Sequence, residues 1–211
     1  MEHKDSRLMP VAIELVLLDM GGVLLNLRDP LTTFDLDVDQ DDFMETWLLS
    51  PAVRRFECGA VSSTQFAHSI VEEFALPYTP AEFLRRLESW PDAVYAGVPE
   101  LLISISHRCQ IALLSNTNEI HWNRDDIAGQ LTPLFDETFL SYKTGHLKPD
   151  SAAFENVLIH YAVDADKILF LDDNPLNIAA AKNCGMQAQL TRGFDSLVQN
   201  LRQAGFDETL A

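Results

Sequence analysis

Residues 13–23 read Ile-Glu-Leu-Val-Leu-Leu-Asp-Met-Gly-Gly-Val, and this stretch decides the fold. Only Glu14 interrupts the apolar run Ile13–Leu18. A strand without a polar face is buried on both sides, as parallel strands are. The run stops at Asp19, and Met20-Gly21-Gly22-Val23 is a turn signal.

Two later stretches have the same form. Ile111–Leu114 runs into Ser115-Asn116-Thr117-Asn118, and Ile168–Leu171 runs into Asp172-Asp173-Asn174-Pro175. In open α/β sheets ligands bind beyond the carboxyl ends of the strands. Helices are expected between the strands. Asp150 is placed to cap Ser151–Tyr161, whose Phe154, Val157, Leu158 and Tyr161 form an apolar stripe. Asn174-Pro175 reads as a helix start and Gly185 as its stop. Phe135–Ser141 and Met186–Leu190 are further strand candidates, and Ser196–Gln203 is a closing helix. Alternating strands and helices predict an α/β fold, a Rossmann-like parallel sheet flanked by helices.

Residues 28–97 break the alternation. Asp42-Phe43-Met44-Glu45 and Thr79-Pro80-Ala81-Glu82 read as capping boxes, and Ser63 as a cap for Phe66–Phe74. Strands are hard to find there. The expected organisation is an α/β core of residues 1–27 and 98–211, interrupted after its first strand by a small helical domain, residues 28–97. The densest charge run, Asp35 to Glu45, holds six acids and reads as a solvated loop and helix start.

Composition narrows the function. The 211 residues carry 15 Lys and Arg against 32 Asp and Glu, a net charge of −17. Such a surface disfavours nucleic acid and anionic lipid, and an anionic substrate needs a local cation. The three cysteines, Cys58, Cys109 and Cys184, lack any zinc-ligand spacing and favour a reduced compartment. The leader MEHKDSRLMP has no secretory h-region, and apolar runs are strand-length. A cytoplasmic protein is expected.

The segments LVLLDMGGVL, LLSNTN, GHLKPD and FLDDNPLNIAAAKNCG, in this order, resemble the haloacid dehalogenase superfamily of phosphatases. The helical insertion sits where that superfamily carries its small helical cap. The D-x-G-G-V form and LSNTN followed by His are most similar to the branch of bacterial α-D-glucose-1-phosphate phosphatases. The resemblance implies that Asp19 is the nucleophile, forming an aspartyl-phosphate. It implies that Ser115 and the Asn116 N–H hold phosphoryl oxygens, and that Lys148 is the catalytic and substrate-binding cation. Mg²⁺ then falls to Asp19, the Gly21 carbonyl, Asp172 and Asp173, with Asn177 available to a metal-bound water or Lys148. The residue types agree with this: carboxylates are hard donors suited to Mg²⁺, and the dication with Lys148 supplies the positive charge that the chain as a whole lacks.

One position departs from the pattern. Where most family phosphatases carry a second Asp, as proton donor to the leaving group, this chain has Gly21. General acid catalysis contributes about 10²–10⁴-fold. Without it, the implied substrate, a small phosphorylated metabolite and foremost a sugar phosphate, is expected to be an anomeric ester such as glucose 1-phosphate, whose leaving group is the more acidic. The competing reading is a slow or inactive binding or regulatory protein on the same fold. A dehalogenase needs no metal, so the acid pair Asp172-Asp173 argues against it. His121 reads first as a solvated surface residue and second as a stand-in for the missing acid. Thr117 and Asn118 continue the second motif toward the pocket. Phe56, Glu57 and Gly59 lie where a cap would meet substrate, with helix packing before a glycine stop as the plainer reading. Oligomeric state has no signal in the sequence.

Overall fold

The structure is a computed structural model and describes residues 12–206. The expected leader lies outside the described residues, as does the end of the chain. In order, the elements are β1 (Leu15–Leu18), β2 (Leu25–Leu27), α1 (Pro30–Phe34), α2 (Gln40–Leu49), α3 (Pro51–Glu57), α4 (Ser63–Glu73), α5 (Pro80–Ser89), β3 (Pro91–Val94) and α6 (Val98–Ser106). There follow β4 (Gln110–Ser115), α7 (Glu119–Trp122), α8 (Asp125–Leu131), β5 (Glu137–Leu140), α9 (Ser141–Thr144), α10 (Ser151–Tyr161), β6 (Ile168–Asp172), α11 (Pro175–Asn183), β7 (Gln187–Leu190) and α12 (Gly193–Leu201).

Five strands form one parallel sheet in the order β5-β4-β1-β6-β7. Every residue of β1 is buried, because β1 is central and both its faces are covered. Side chains alternate across the sheet. Val16, Leu18, Ile111, Leu113, Leu169 and Leu171 pack on one side with α6, α8 and α12. Leu15, Leu17, Ala112, Leu114, Ile168 and Phe170 pack on the other with α10 and α11. From β1 the chain builds outward through β4 and β5, then returns to lay β6 and β7 on the opposite flank. That reversal opens a crevice at the carboxyl ends of the central strands.

The helices α1–α5 have a hydrophobic core of their own, made of Phe34, Phe43, Trp47, Phe56, Phe66, Phe83, Trp90 and aliphatic neighbours. Phe56 and Phe66 stack at 4.2 Å between ring centroids. Two caps in this region differ from expectation. The start of α2 is Asp39, whose carboxylate accepts from the N–H groups of Asp41 and Asp42, so Asp42 lies in the first turn. The start of α4 is Ser62, in a reciprocal box with Gln65, one residue before the expected Ser63. Thr79 does cap α5. A strand pair also emerges where strands were hard to find: β2 and β3 form an antiparallel ribbon. Arg28 and Trp90 extend it through the Arg28 N–H to the Trp90 carbonyl and the Trp90 indole N–H to the Arg28 carbonyl, each at 3.0 Å. Among the described residues no helix is long and apolar enough to cross a membrane.

Candidate active site

The register of the sheet assembles the site. Leu18 pairs with Leu113 and Leu171, so the next residue along, Asp19, stands level with Leu114 and Asp172. The Asp19 N–H donates to the Leu171 carbonyl at 2.9 Å, which keeps β1 and β6 together to their last residues. Lys148 arrives from the loop between α9 and α10. Its Nζ donates to Asp19 Oδ1 at 2.7 Å and to Asp172 Oδ2 at 2.6 Å, and the ammonium is buried.

The three acids are not equivalent. Asp172 is wholly buried and accepts from Lys148, from the Asn174 N–H and from both approaches of the Asn177 amide. Asn177 therefore bonds Asp172 itself. Asp19 and Asp173 keep open faces on the cavity. Burial raises the Asp19 carboxyl to about 7; Lys148 opposes the shift, and Asp172 and Asp173 add to it. Asp173 is raised too, first by burial and then by Asp172. For Lys148, burial favours the neutral amine, but Asp172 and Asp19 outweigh it and raise its pKa.

Oxygens of Asp19, Asp172 and Asp173 lie within 4.8 Å of one another. Three carboxylates meet one ammonium, so the cluster carries surplus negative charge in a poorly hydrated place. The donors are hard oxygens. A small dication such as Mg²⁺ fits both the surplus and the chemistry. Asp19 and Asp173 have lone pairs to give it; those of Asp172 are already taken by protein donors.

The turn after Asp19 is built around Gly22. It has φ +72°, and a Cβ there would collide with the Asp173 carboxylate. Its N–H donates to Leu25 and its carbonyl accepts from Gly193. The two acids can thus close on one turn only because residue 22 has no side chain. Gly21 has no such demand.

At the end of β4, Ser115 is buried, and its hydroxyl makes only a long 3.5 Å approach to the Asn116 carbonyl. Asn116 has a role the sequence did not reveal. Its side chain accepts from the Lys148 N–H at 2.9 Å and donates to the Lys148 carbonyl at 2.8 Å. Thr117 is held the same way, by the Ser141 hydroxyl bonding both its N–H and its carbonyl at 2.9 Å. The Thr117 hydroxyl is buried against the cavity and has no partner among the described residues.

His121 is buried, against the surface reading. Its Nε2 lies 2.8 Å from the Leu87 carbonyl and its Nδ1 3.2 Å from the Asn118 amide. A carbonyl only accepts, so Nε2 carries the proton and Nδ1 receives the amide N–H. Burial lowers its pKa to about 4, with Arg124 adding and the Leu87 bond opposing. This histidine is neutral, with both nitrogens engaged in tying α5 to the loop before α7. Its one ring proton is held by the Leu87 carbonyl.

Over Asp19, Asn116, Thr117, Lys148 and Asp173 lies a cavity of about 170 Å³, whose walls also include Met20, Leu27, Trp47, Leu48, Glu57, Trp90 and Pro91; Ser115 and Asp172 lie buried behind its lining. The helical insertion thus roofs the crevice with two indoles, a leucine and one carboxyl. No periodicity marks Trp47 and Leu48 as cavity walls, although an exposed leucine beside a buried tryptophan is a weak sign of one.

The haloacid dehalogenase-like hydrolase family model matches residues 13–185. A D-ribitol-5-phosphate phosphatase from Bacteroides thetaiotaomicron is 24% identical over 189 residues, spanning 83% of this chain and 90% of that protein. The crystal structure of a haloacid dehalogenase family enzyme from Bacteroides thetaiotaomicron, complexed with magnesium and inorganic phosphate, superposes with a TM-score of 0.74. It is 24% identical and covers 86% of this chain and 95% of that one. The structure of a predicted haloacid dehalogenase-like family hydrolase from Porphyromonas gingivalis gives a TM-score of 0.72 at 21% identity, over 90% of this chain and 98% of that one.

Proposed function

The chain belongs to the haloacid dehalogenase-like hydrolase family, and from that premise we propose that it is a Mg²⁺-dependent phosphatase of small phosphomonoesters, sugar and polyol phosphates foremost. The observation that carries this is the contact of Lys148 with Asp19 beside Asp173, at the floor of a cavity between cap and core. The similar D-ribitol-5-phosphate phosphatase supports the substrate class. So does the volume: about 170 Å³ lies below the roughly 300–1,000 Å³ of drug-sized sites.

In this reading residues 28–97 are the cap and the remainder is the core. Asp19, Asp173 and the Gly21 carbonyl would hold Mg²⁺, with Asp172 completing the acid cluster and fixing Lys148. Bound Mg²⁺ supplies positive charge to the phosphoryl oxygens. The Lys148 ammonium would supply more, and the Ser115 hydroxyl and Asn116 N–H would orient the group by hydrogen bonding. An Asp19 oxygen attacks phosphorus in line, giving an aspartyl-phosphate that water then cleaves. Gly21 contributes no proton, so the ester that this loop handles with least help is an anomeric one, glucose 1-phosphate in the simplest case. The three free cysteines suit a reducing compartment, and cytoplasmic operation is part of the proposal.

Phosphate release from a panel of sugar and polyol phosphates, with and without Mg²⁺, tests the reading. Mg²⁺-dependent release is the expected result. Gly21 favours a second reading, a ligand-binding protein without turnover; that reading holds if the panel binds and stabilises the protein but releases no phosphate.

A further inference from the structure

Gly21 and His121 leave the leaving-group oxygen without a proton donor from the core. We infer that Glu57, carried over the cavity by the cap helix α3, is the general acid and base of the reaction. This rests on the phosphatase reading and deepens it.

Glu57 is the last residue of α3 and lines the cavity that Asp19 and Lys148 floor. Among the described residues no group donates a hydrogen bond to its carboxyl or pairs with it as an ion. Its location is costly for a structural residue. A helix C-terminus is the negative end, where Lys or Arg is favoured and a carboxylate is not. An unpaired, half-buried acid there needs a reason, and helix packing offers none.

Its position is built. Two contacts on either side of it clamp the end of α3 to the core. Arg54, one turn earlier, pairs with Asp150 at the start of α10. Gly59, two residues later, has φ +70° and lies so near α9 that a Cβ would collide with the Tyr142 carbonyl oxygen. The stacked Phe56 anchors the opposite side of the helix in the cap's core. Glu57 is thereby held in the part of the cavity wall that the cap supplies, and the alcohol half of a substrate whose phosphate faces Asp19 extends toward that wall.

The protonation state also suits the role. Burial raises the Glu57 carboxyl to about 7, and Lys148 only partly offsets this. The other charged groups around the cavity are Asp19 and Asp173; His121 is neutral, and on α3 Arg54 is occupied by Asp150.

The chemistry balances. In the first step an Asp19 oxygen forms a bond to phosphorus. The ester P–O bond breaks with its electron pair going to the alcohol oxygen, which takes the proton of the Glu57 carboxylic acid. In the second step the Glu57 carboxylate takes a proton from water. The water oxygen bonds phosphorus, the phosphorus bond to Asp19 breaks, and inorganic phosphate leaves with Glu57 protonated again.

The test is a series of aryl phosphates, 4-nitrophenyl, phenyl and 4-methoxyphenyl, with Mg²⁺, on wild type, Glu57→Gln and Glu57→Asp. A nitrophenolate leaves without a proton, whereas the poorer leaving groups need one. We expect kcat/KM of Glu57→Gln to fall less than about fivefold for 4-nitrophenyl phosphate but about 10²–10⁴-fold for 4-methoxyphenyl phosphate. Glu57→Asp should regain part of the loss. The basic limb of the wild-type pH profile for phenyl phosphate should vanish in Glu57→Gln. An equal loss across the series, or a rise in KM alone, would mean that Glu57 binds hydroxyls or merely packs, and would overturn the assignment while leaving the phosphatase reading intact. A wild type that releases no phosphate from 4-nitrophenyl phosphate overturns both. Melting curves of the two variants check their fold, each serving if the other is unstable.

Discussion

The side chain of Asn116 closes a two-point clasp on the backbone of Lys148, accepting from its N–H and donating to its carbonyl. The two residues are 32 positions apart in sequence, and the clasp joins the loop after β4 to the loop before α10. It aims the ammonium without occupying it. Asn116→Ala keeps the backbone N–H proposed for the phosphoryl group but frees the Lys148 backbone. Misplacement by about 1 Å can cost on the order of 10²-fold in rate. The expected result is a fall in kcat of about 10–100-fold with a nearly normal melting temperature. Unchanged kcat would show that the clasp is dispensable.

Asp172 and Asp173 should fail in different ways. Asp172→Ala leaves the buried Lys148 with Asp19 alone and deprives the Asn177 amide of its acceptor. Breaking a buried pair costs about 3–5 kcal/mol, which for a chain of this size lowers the melting temperature by on the order of 10 °C. Asp173→Ala should melt near the wild-type temperature but lose its response to Mg²⁺ and nearly all activity. Thermal melts with and without Mg²⁺ on both variants give the comparison. A stable Asp172→Ala that had lost its Mg²⁺ response would exchange the two roles.

The adjacent glycines should also differ. Gly22→Ala meets both the left-handed φ and the Asp173 carboxylate, while Gly21→Ala meets only ordinary contact with Leu27 at 3.5 Å. Gly22→Ala is expected to weaken Mg²⁺ binding at least tenfold, about 1.4 kcal/mol, and Gly21→Ala to change it little. Titrating Mg²⁺ against activity measures this, and equal effects would count against the turn as the metal's supporting wall.

Metal-free stability should depend on pH with a definite sign. The Asp19 carboxyl has a folded pKa of about 7 against an ordinary 3.8. Between those values the folded state holds a proton that the unfolded chain has released, so stability falls as pH rises from about 4 to about 7 and then levels off. Asp19→Asn removes this titrating group and leaves Glu57, whose carboxyl is also raised to about 7. It should abolish turnover, melt higher than metal-free wild type at pH 8, and lose that advantage near pH 4.5. Mg²⁺ should stabilise wild type more at pH 8 than at pH 5. A melting temperature flat in pH would remove Asp19 as the strained group.

The sheet was legible because β1, β4 and β6 are buried on both faces and end on polar residues, a pattern that few other elements share. The insertion was legible as helical but not in detail. Asp39, Asp41 and Asp42 are all able to cap, and only the backbone decides among them. Ser62 and Ser63 pose the same local tie. The ribbon of β2 and β3 escaped notice because its strands are three and four residues long and one begins with proline, which is tolerated only at a strand start or edge. His121 and Asn116 were both singled out in the sequence, but their bonding partners escaped for another reason. Their partners, Leu87 and Lys148, lie more than thirty residues away, and no spacing within a motif encodes such a bond.

The roof of the cavity also carries its own light source. Of the three tryptophans, Trp47 and Trp90 wall the cavity and Trp122 is the buried neighbour of His121. Trp47 and Trp90 sit 5.2 Å apart between ring centroids with their planes at 86°, close enough for their excited states to couple. Two of the protein's three indole emitters therefore stand in the cavity wall, while Trp122 belongs to the core beneath the sheet. A phosphate ester entering the cavity perturbs the same indoles that report on folding, so occupancy can be followed without any label. The spectra of Glu57→Gln and of Asp19→Asn would show whether their cavities still fill when turnover has stopped.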